Sequence, residues 1–428
     1  IRRPPRSTLD RSSAASDVYK RQGYYIVAAS CVVQATYLGA FFSFGILFPA
    51  FEAEFGWNRE TISGAASLNF LIMGMSVILL GRLTDRIGPR WVLALASAVY
   101  GLGYLLLSQT HAVWHLYLFF GVLAGISIGA HDVCTLSTVA RWFVKRRGLI
   151  TGIVKSGAGV GQSLMPIGVA ILIVTFGWRT ACVVIGLSLL AMVLVSLMLK
   201  RDPALLGLQP DGVELAPNDA IELNSATAIP EHGISLREAL KTHQLWLLCI
   251  GKFADFYCLM TIVIHIVPHG IDEGLAPAAA AQILAIIGIV SIIGRIAVGT
   301  LSDRFGSKRA IQACFSLLFA SFVFLQWLEN PNLLFVFAVV YGIAHGGFFT
   351  ATSPSVAEYF GTRSHGVIFG TLVFCGTLGG VISPVLAGRF FDTTGSYDVP
   401  FLILTAFSVI GFAVISQLRP LAVASDHA

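Results

Sequence analysis

Eight ionisable side chains occur within long apolar stretches of this sequence, where little water is available to solvate them. They are His131, Asp132, Lys155, Lys252, Asp255, His265, Arg295 and His345. A charge at the centre of a bilayer costs at least ~2.5–3.5 kcal/mol, so each is expected to face the protein interior or a water-filled path. The basic side chains can hold an anion, and the carboxylates and imidazoles can exchange protons. The set therefore predicts an anion site with titratable neighbours.

Arg295 is the leading candidate for binding that anion. A guanidinium can donate two parallel hydrogen bonds to one carboxylate. Arg295 lies about six residues, or ~9 Å, from the end of its apolar stretch, and the alternative is that its side chain extends to the membrane surface. Lys155 lies at a similar depth in another stretch. It is either a second cation for the same anion or a lysine that extends to the surface.

Asp132, His131 and Asp255 are the candidates for proton coupling. Asp132 lies beside His131, and it either titrates during turnover or pairs with a cation on another helix. Asp255 follows Lys252 by three residues, a spacing that places both on one face of a helix. Lys252 and Asp255 are therefore expected to neutralise each other rather than to bind a ligand directly.

Three further polar residues are candidates for contacting the substrate. Tyr37 in the first apolar stretch offers a hydroxyl donor. His265 lies near one end of its stretch, and His345 lies nearer the middle of another. The alternative for both histidines is a hydrogen-bonded packing role.

The elements that carry these residues are membrane-spanning helices. The chain has 428 residues, of which 56% are hydrophobic and 12% charged, and its mean hydropathy is +0.78. A soluble chain would carry roughly twice that charged fraction. Twelve apolar spans reach the ~20 residues that cross a bilayer as a helix, at approximately 24–50, 61–81, 90–109, 114–140, 148–176, 179–200, 244–269, 277–300, 307–328, 331–357, 363–391 and 398–418. The sequence therefore predicts an all-α membrane protein.

A short motif occurs twice, at an interval of 299 − 81 = 218 residues. Gly81, Leu83, Asp85, Arg86, Gly88 and Arg90 in the first copy correspond to Gly299, Leu301, Asp303, Arg304, Gly306 and Lys308 in the second. The interval also pairs Gly148 with Gly366 and Pro166 with Pro384. Glycines and prolines mark backbone geometry, so the shared register predicts two six-helix halves related by pseudo-symmetry.

The charged candidates do not follow this repeat. At the same interval, Lys155 pairs with Val373, Asp132 with Thr350, His131 with Phe349 and Arg295 with Val77. Packing alone does not require such an asymmetry, whereas an asymmetric substrate does.

The repeated motif resembles the loop signature that the major facilitator superfamily carries between its second and third helices. The stretch from Arg141 to Gly161, with Lys145-Arg146-Arg147-Gly148 at the turn, resembles the fourth-to-fifth helix junction of monocarboxylate transporter-like proteins. It is also similar to that of the oxalate–formate antiporter group. The resemblance implies the twelve-helix major facilitator fold and a carboxylate bound by Arg295. Animal members carry an acid one helical turn earlier, where this chain has Ser291.

The motif residues are expected to gate the substrate path. They are Gly81, Asp85, Arg86, Gly88, Arg90, Asp303, Arg304 and Gly306. A carboxylate at a helix end can pair with a neighbour such as Arg86 or with the N-terminus of an adjacent helix. Such a contact, made in one conformation only, would latch the outward-open state. The alternative is that these charges only set the membrane topology.

Charge distribution and composition predict the orientation and the boundaries. Loops on one side of the membrane hold most Lys and Arg residues, and those on the other side hold only Arg59, Arg179 and Arg389, which predicts cytoplasmic termini in a bacterial cytoplasmic (inner) membrane. Residues 1–22 resemble a translated sequencing adaptor, and a disordered tail is the alternative. The halves are predicted at 23–200 and 244–420, the linker at 201–243 and a cytoplasmic tail at 421–428. Ser235 and Glu238 form a candidate capping box in the linker.

The sequence predicts a secondary active transporter of a small organic anion of the monocarboxylate class, coupled to protons and monomeric. Anion exchange of the oxalate–formate type and a transporter-like sensor are the alternatives. The pattern Gly157-x-Gly159-x-Gly161 lies within a membrane span rather than after a strand, so it indicates close helix packing and not a nucleotide loop. No hydrolase or Walker motif occurs, and neither an enzyme nor a nucleic-acid-binding surface is expected. No cofactor or metal is expected, and the seven cysteines favour neither a disulfide nor a metal site.

Overall fold

The computed structural model describes residues 6–57, 59–206, 210–212, 233–327 and 330–419. In this part of the chain, twelve helices are long and apolar enough to cross a membrane. They are α1 Arg6–Phe55, α2 Arg59–Ile87, α3 Pro89–Leu107, α4 Val113–Trp142, α5 Arg147–Phe176, α6 Trp178–Ser196, α7 His243–Asp272, α8 Pro277–Phe305, α9 Ser307–Gln326, α10 Leu334–Phe360, α11 His365–Thr394 and α12 Asp398–Ser416. The predicted all-α membrane fold is confirmed.

Two helices differ in detail from the expected spans. Helix α1 begins at Arg6, and its apolar span begins at Gly23; residues 1–5 and the predicted tail at 421–428 lie outside the described residues. Helix α4 contains a π-helical segment, Tyr117–Ala124, between α-helical segments. The predicted boundaries of the halves and of the linker stay predictions.

Sharp turns with glycine at positive φ separate the helices of the repeated motif. Gly88 ends α2 with φ 90°, and Gly306 ends α8 with φ 85°. A side chain is strained in this region of backbone space, and glycine is not. The two glycines are 306 − 88 = 218 residues apart, so the interval read from the sequence is also an interval in backbone geometry.

Helices α2 and α5 of the first half pack against α11 and α8 of the second half, respectively. At the end of the bundle that carries the α2–α3 and α8–α9 turns, here called the closed end, a Cβ atom on Gly81 would overlap the carbonyl oxygen of Gly366. A Cβ atom on Gly148 would likewise overlap that of Gly299. Towards the opposite end, a Cβ atom on Gly168 would meet nothing within 4 Å. The halves are therefore in backbone contact at the closed end.

The linker has a short ordered element before α7. A single helical turn, Leu236–Ala239, begins after Ser235. The Ser235 hydroxyl accepts from the Glu238 amide at 3.3 Å, and the Ser235 amide donates to Glu238 Oε2 at 2.6 Å. The predicted capping box is confirmed, and the hydrogen bond from the Ser235 amide lowers the pKa of the Glu238 carboxyl.

We predict that Gly81→Ala lowers the thermal stability of the protein in detergent, because the added methyl group meets backbone rather than a flexible side chain. Overpacking of this kind costs roughly 1–3 kcal/mol. Gly45→Ala is the matched control, since a Cβ atom there meets nothing within 4 Å. Equal melting temperatures for the two variants would contradict the close contact of α2 with α11.

Candidate functional site

Arg295 lies at the centre of the bundle, where α8 meets α5. Its side chain is buried, with 3% of the residue exposed, so it does not extend to the membrane surface. Its Nη1 donates to the carbonyl oxygen of Lys155 at 2.7 Å. Its Nε is buried with no hydrogen-bond partner among the described residues. Arg295 therefore keeps donor capacity that no described residue fills.

Lys155 on α5 forms an ion pair with Asp132 on α4. Its Nζ lies 2.7 Å from Asp132 Oδ1. Gln34 on α1 donates to the same oxygen at 2.8 Å, and His131 Nε2 lies 3.4 Å away. The sequence leaves two roles open for Asp132, and in this conformation it pairs with a cation on another helix.

Lys252 and Asp255 form a second buried pair, on one face of α7. Lys252 Nζ lies 2.7 Å from Asp255 Oδ2, and both side chains are 7% exposed. The expectation that the two residues neutralise each other agrees with this contact. Because both residues belong to one helix, the pair moves with its own half of the protein.

The ring of Phe349 on α10 lies among three cations. Lys155 Nζ is 5.1 Å from the ring centroid, Lys252 Nζ 5.5 Å and Arg295 Cζ 5.6 Å. A cation near an aromatic face is attracted by the quadrupole of the ring. His345 lies one helical turn earlier on α10, and its ring centroid is 5.1 Å from that of Phe349 in an edge-on arrangement.

These contacts define a central cluster of Asp132, Lys155, Lys252, Asp255, Arg295 and Phe349. It contains three cations and two carboxylates, and its formal charge is therefore 3 − 2 = +1. His131 and His345 lie at its edge. Of the candidates read from the sequence, the structure brings together Arg295, Lys155, Asp132, Asp255 and both of these histidines.

Tyr37 and His265 form their hydrogen bonds outside the central cluster, although the centroid of the Tyr37 ring lies 5.8 Å from that of His131. The Tyr37 hydroxyl is 2.8 Å from Ser97 Oγ, and the residue is fully buried within the first half. His265 Nδ1 is 3.2 Å from the Tyr397 hydroxyl, and its Nε2 is 3.1 Å from the carbonyl oxygen of Pro384. Both side chains thus bond to groups outside the central cluster, which supports the packing alternative for His265.

Three contributors to this region are not among the substrate-binding or proton-coupling candidates that the sequence predicts. They are Gln34, Phe349 and, as a cation near the shared ring, Lys252. The repeat interval could have found two of them, since 252 − 218 = 34 and 349 − 218 = 131. Gln34 thus occupies the position of Lys252, and Phe349 that of His131.

The two motif aspartates form matching contacts between the halves at the closed end. Asp85 accepts from the amides of Gly366 and Val367, at 3.0 and 2.9 Å, at the N-terminus of α11. Asp303 accepts from the amides of Gly148 and Leu149 at 2.6 and 2.8 Å, at the N-terminus of α5. A carboxylate is stabilised there by the unpaired amides and the helix dipole.

The basic residues of the motif lie at the surface. Arg86, Arg90 and Arg304 are exposed, and Arg90 lies over the ring of Trp91 at 5.1 Å. Asp85 is also 3.7 Å from Arg141 Nη2. Both motif carboxylates thus pair with a helix N-terminus, and Asp85 has a basic side chain, Arg141, as a second partner.

Two packed six-helix halves with a buried charged cluster between them are the architecture of a secondary transporter. The Major Facilitator Superfamily model matches residues 31–331 and 298–426. The chain belongs to this superfamily and is an integral membrane transporter.

Its relatives and structural neighbours are transporters, not enzymes. It is 27% identical over 398 residues to monocarboxylate transporter 13 of Rattus norvegicus, covering 92% of this chain and 89% of that protein. It is 25% identical over 437 residues to monocarboxylate transporter 12 of Homo sapiens, covering 97% and 83%.

Two solved structures have the same fold. The human organic anion transporter MFSD10 (TETRAN) superposes with a TM-score of 0.71 at 17% identity, covering 92% of this chain and 99% of that chain. The E. coli fucose:proton symporter FucP superposes with a TM-score of 0.68 at 15% identity, covering 91% and 97%.

We predict that Asp85→Asn opens the closed end, because an amide lacks the charge that the α11 N-terminus stabilises. Spin labels on Lys145→Cys and Arg363→Cys, at equivalent exposed positions in the two halves, would report the separation in a background without native cysteines. The longer-distance population should rise roughly tenfold or more, the scale of a lost hydrogen bond to a charged group.

The matched control is Asp392→Asn, an exposed acid at the far end of α11, which should leave the label distances unchanged. If Asp85→Asn also leaves them unchanged, Asp85 is a topological charge and not a latch.

Proposed function

We propose that this protein transports small monocarboxylates together with protons, by alternating access. The observation that carries the proposal is the unfilled donor capacity of Arg295 inside a buried cluster of charge +1. The names of the relatives, monocarboxylate transporters 12 and 13, support the same substrate class. So does the name of the structural neighbour, an organic anion transporter.

Charge balance favours a monoanion. An unbalanced charge in a buried site is costly, so the cluster with Asp132 ionised is expected to bind one negative charge. One carboxylate brings the formal charge from +1 to zero. A dicarboxylate would leave the cluster in that ionised state with a formal charge of 1 − 2 = −1.

Arg295 is the group that we expect to hold the carboxylate. Asp132 and Asp255 are each paired with a lysine, so neither charge is committed to Arg295. One turn before Arg295, Ser291 donates to the carbonyl oxygen of Gly288 at 2.7 Å, and it supplies no countercharge. The guanidinium is therefore available for two parallel hydrogen bonds to substrate.

Proton coupling is assigned to the group around Asp132. Protonation of Asp132 would add one positive charge to the cluster and release Lys155 from its ion pair. Both changes raise the affinity of the cluster for an anion, and by linkage a bound anion raises its affinity for the proton. Reciprocal binding of this kind favours joint movement of the two. His131 and Asp255 are the further proton-coupling candidates.

Alternating access would use the matching aspartate contacts. With both contacts formed, the cluster would be reached from the opposite end, and breaking them would expose it at the closed end. If the basic loops are cytoplasmic, this conformation is outward-facing. The bacterial cytoplasmic membrane and a monomeric state stay predictions from the sequence.

We predict that Arg295→Lys weakens transport strongly, because it retains the charge and loses the planar fork of donors. Uptake of labelled lactate and formate into proteoliposomes would measure KM and the maximal rate. Arg389→Lys is the matched control, since Arg389 is exposed at the far end of α11 and should tolerate the change. Uptake by Arg295→Lys at the wild-type KM would remove Arg295 from the substrate site.

We predict that Asp132→Asn retains exchange of labelled for unlabelled substrate and loses accumulation driven by an inward pH gradient. Asparagine keeps the shape of the side chain and cannot take up the proton. The measurement is uptake into liposomes with and without an imposed pH step. Wild-type accumulation that ignores the pH step and requires an internal anion would make the protein an exchanger. Carboxylate binding without flux would make it a sensor.

A further inference from the structure

The glycines of the pattern Gly157-x-Gly159-x-Gly161 on α5 face different neighbours. Cβ atoms on Gly157 and Gly161 would overlap the carbonyl oxygens of Cys31 and Ala35 on α1. These two glycines therefore allow helices of the same half to pack closely. A Cβ atom on Gly159 would instead lie 2.6 Å from Arg295 Nη1, across the boundary between the halves.

The space over Gly159 is where the Arg295 guanidinium lies. Arg295 Nη1 reaches the carbonyl oxygen of Lys155, which is one helical turn before Gly159 on the same helix. A helical carbonyl already accepts a bond from within its helix, and its second lone pair can accept this one. Reaching it requires that the next turn carry no side chain on that face.

We propose that Gly159 is a positioning residue for Arg295: its missing side chain lets the guanidinium bind the Lys155 carbonyl and present its remaining donors to the substrate. The proposal rests on the proposed function for its effect on transport. It rests on the geometry of α5 and α8 alone for the contact itself.

At Gly159 an added Cβ atom would meet side chains of α8, whereas at the other glycines of α5 that face α8 it would meet backbone. A Cβ atom on Gly148 would overlap the carbonyl oxygen of Gly299, and one on Gly152 that of Arg295. Those neighbours are backbone, and they can move only if the helices separate. At Gly159 the neighbours are the tip of Arg295 and Ile292 Cγ1, at 2.8 Å. Gly159→Ala should therefore displace side chains and leave the helices packed.

The contact also makes the orientation of Arg295 depend on conformation. Lys155 and Gly159 belong to the first half and Arg295 to the second, so a movement that separates α5 from α8 at the level of Arg295 breaks the bond between them. The Lys155 carbonyl therefore orients Arg295 only while α5 and α8 stay packed together. The anion should accordingly bind more tightly in this state, and it should be released more readily once the halves part.

A double-mutant cycle on the whole 428-residue chain tests the contact without substrate. Thermal unfolding in detergent is compared for wild type, Gly159→Ala, Arg295→Ala and the double variant. The expected result is that Gly159→Ala lowers the melting temperature less in the Arg295→Ala background than in wild type. The stability effects of substitutions at residues in contact are not additive. The overlap with Ile292 is present in both backgrounds and cancels. An equal loss in both backgrounds would overturn the proposal and leave Gly159 as a packing glycine.

Uptake kinetics test the consequence for the substrate. Gly159→Ala should raise the KM for lactate or formate roughly three- to tenfold, the scale of one lost hydrogen bond. Gly168→Ala on the same helix, where a Cβ atom meets nothing within 4 Å, should leave KM unchanged. A wild-type KM in Gly159→Ala would also overturn the proposal. If wild type neither takes up nor binds carboxylates, the proposed function fails, and the unfolding cycle still decides the role of Gly159.

Discussion

The cost of a buried charge is the constraint on which the centre of this protein depends. Lys155 and Lys252 are each within ion-pair distance of an aspartate, and each also lies near the ring of Phe349. Arg295 has a backbone carbonyl and the same ring, and no carboxylate among the described residues pairs with it at ion-pair distance. In a medium that solvates charge poorly, an unbalanced cation is a strong site for an anion. We therefore expect a bound anion to balance the charge of the cluster.

The duplicated scaffold and the unduplicated charges have different roles. Asp85 and Asp303 occupy equivalent positions, and each accepts two amides from a helix N-terminus in the other half. The closure is thus formed twice by the same geometry. The central cluster has no such copy, since the positions equivalent to Asp132 and Arg295 are Thr350 and Val77. A symmetric frame that moves around an asymmetric site suits a substrate with one charged end.

The sequence predicted the frame more fully than the site, for physical reasons. Apolar length fixes membrane helices, and a repeated Gly-Asp-Gly spacing fixes the turns at Gly88 and Gly306. The choice between Arg86 and a helix N-terminus as the partner of Asp85 depends on how the halves dock, which no local pattern encodes. The direction in which Tyr37 points is set by the rotation of α1 in its half. The role of Phe349 requires three other helices to meet α10; the repeat interval marks its position as equivalent to that of His131, but it does not indicate the cations that surround the ring.

Of the two contact regions between the halves, the α5–α8 region contains both a motif aspartate, Asp303, and Arg295, the proposed substrate-binding residue. On α8, Arg295 and Asp303 are 303 − 295 = 8 positions apart, roughly 12 Å along the helix. Both bond to α5, Asp303 at its first turn and Arg295 at the Lys155 carbonyl. The contact of α2 with α11 contains the equivalent aspartate, Asp85. The position equivalent to Arg295 is Val77, whose backbone packs against Gly370. An anion bound to Arg295 would therefore act directly on the α5–α8 contact, whereas the α2–α11 contact would respond through movement of the halves.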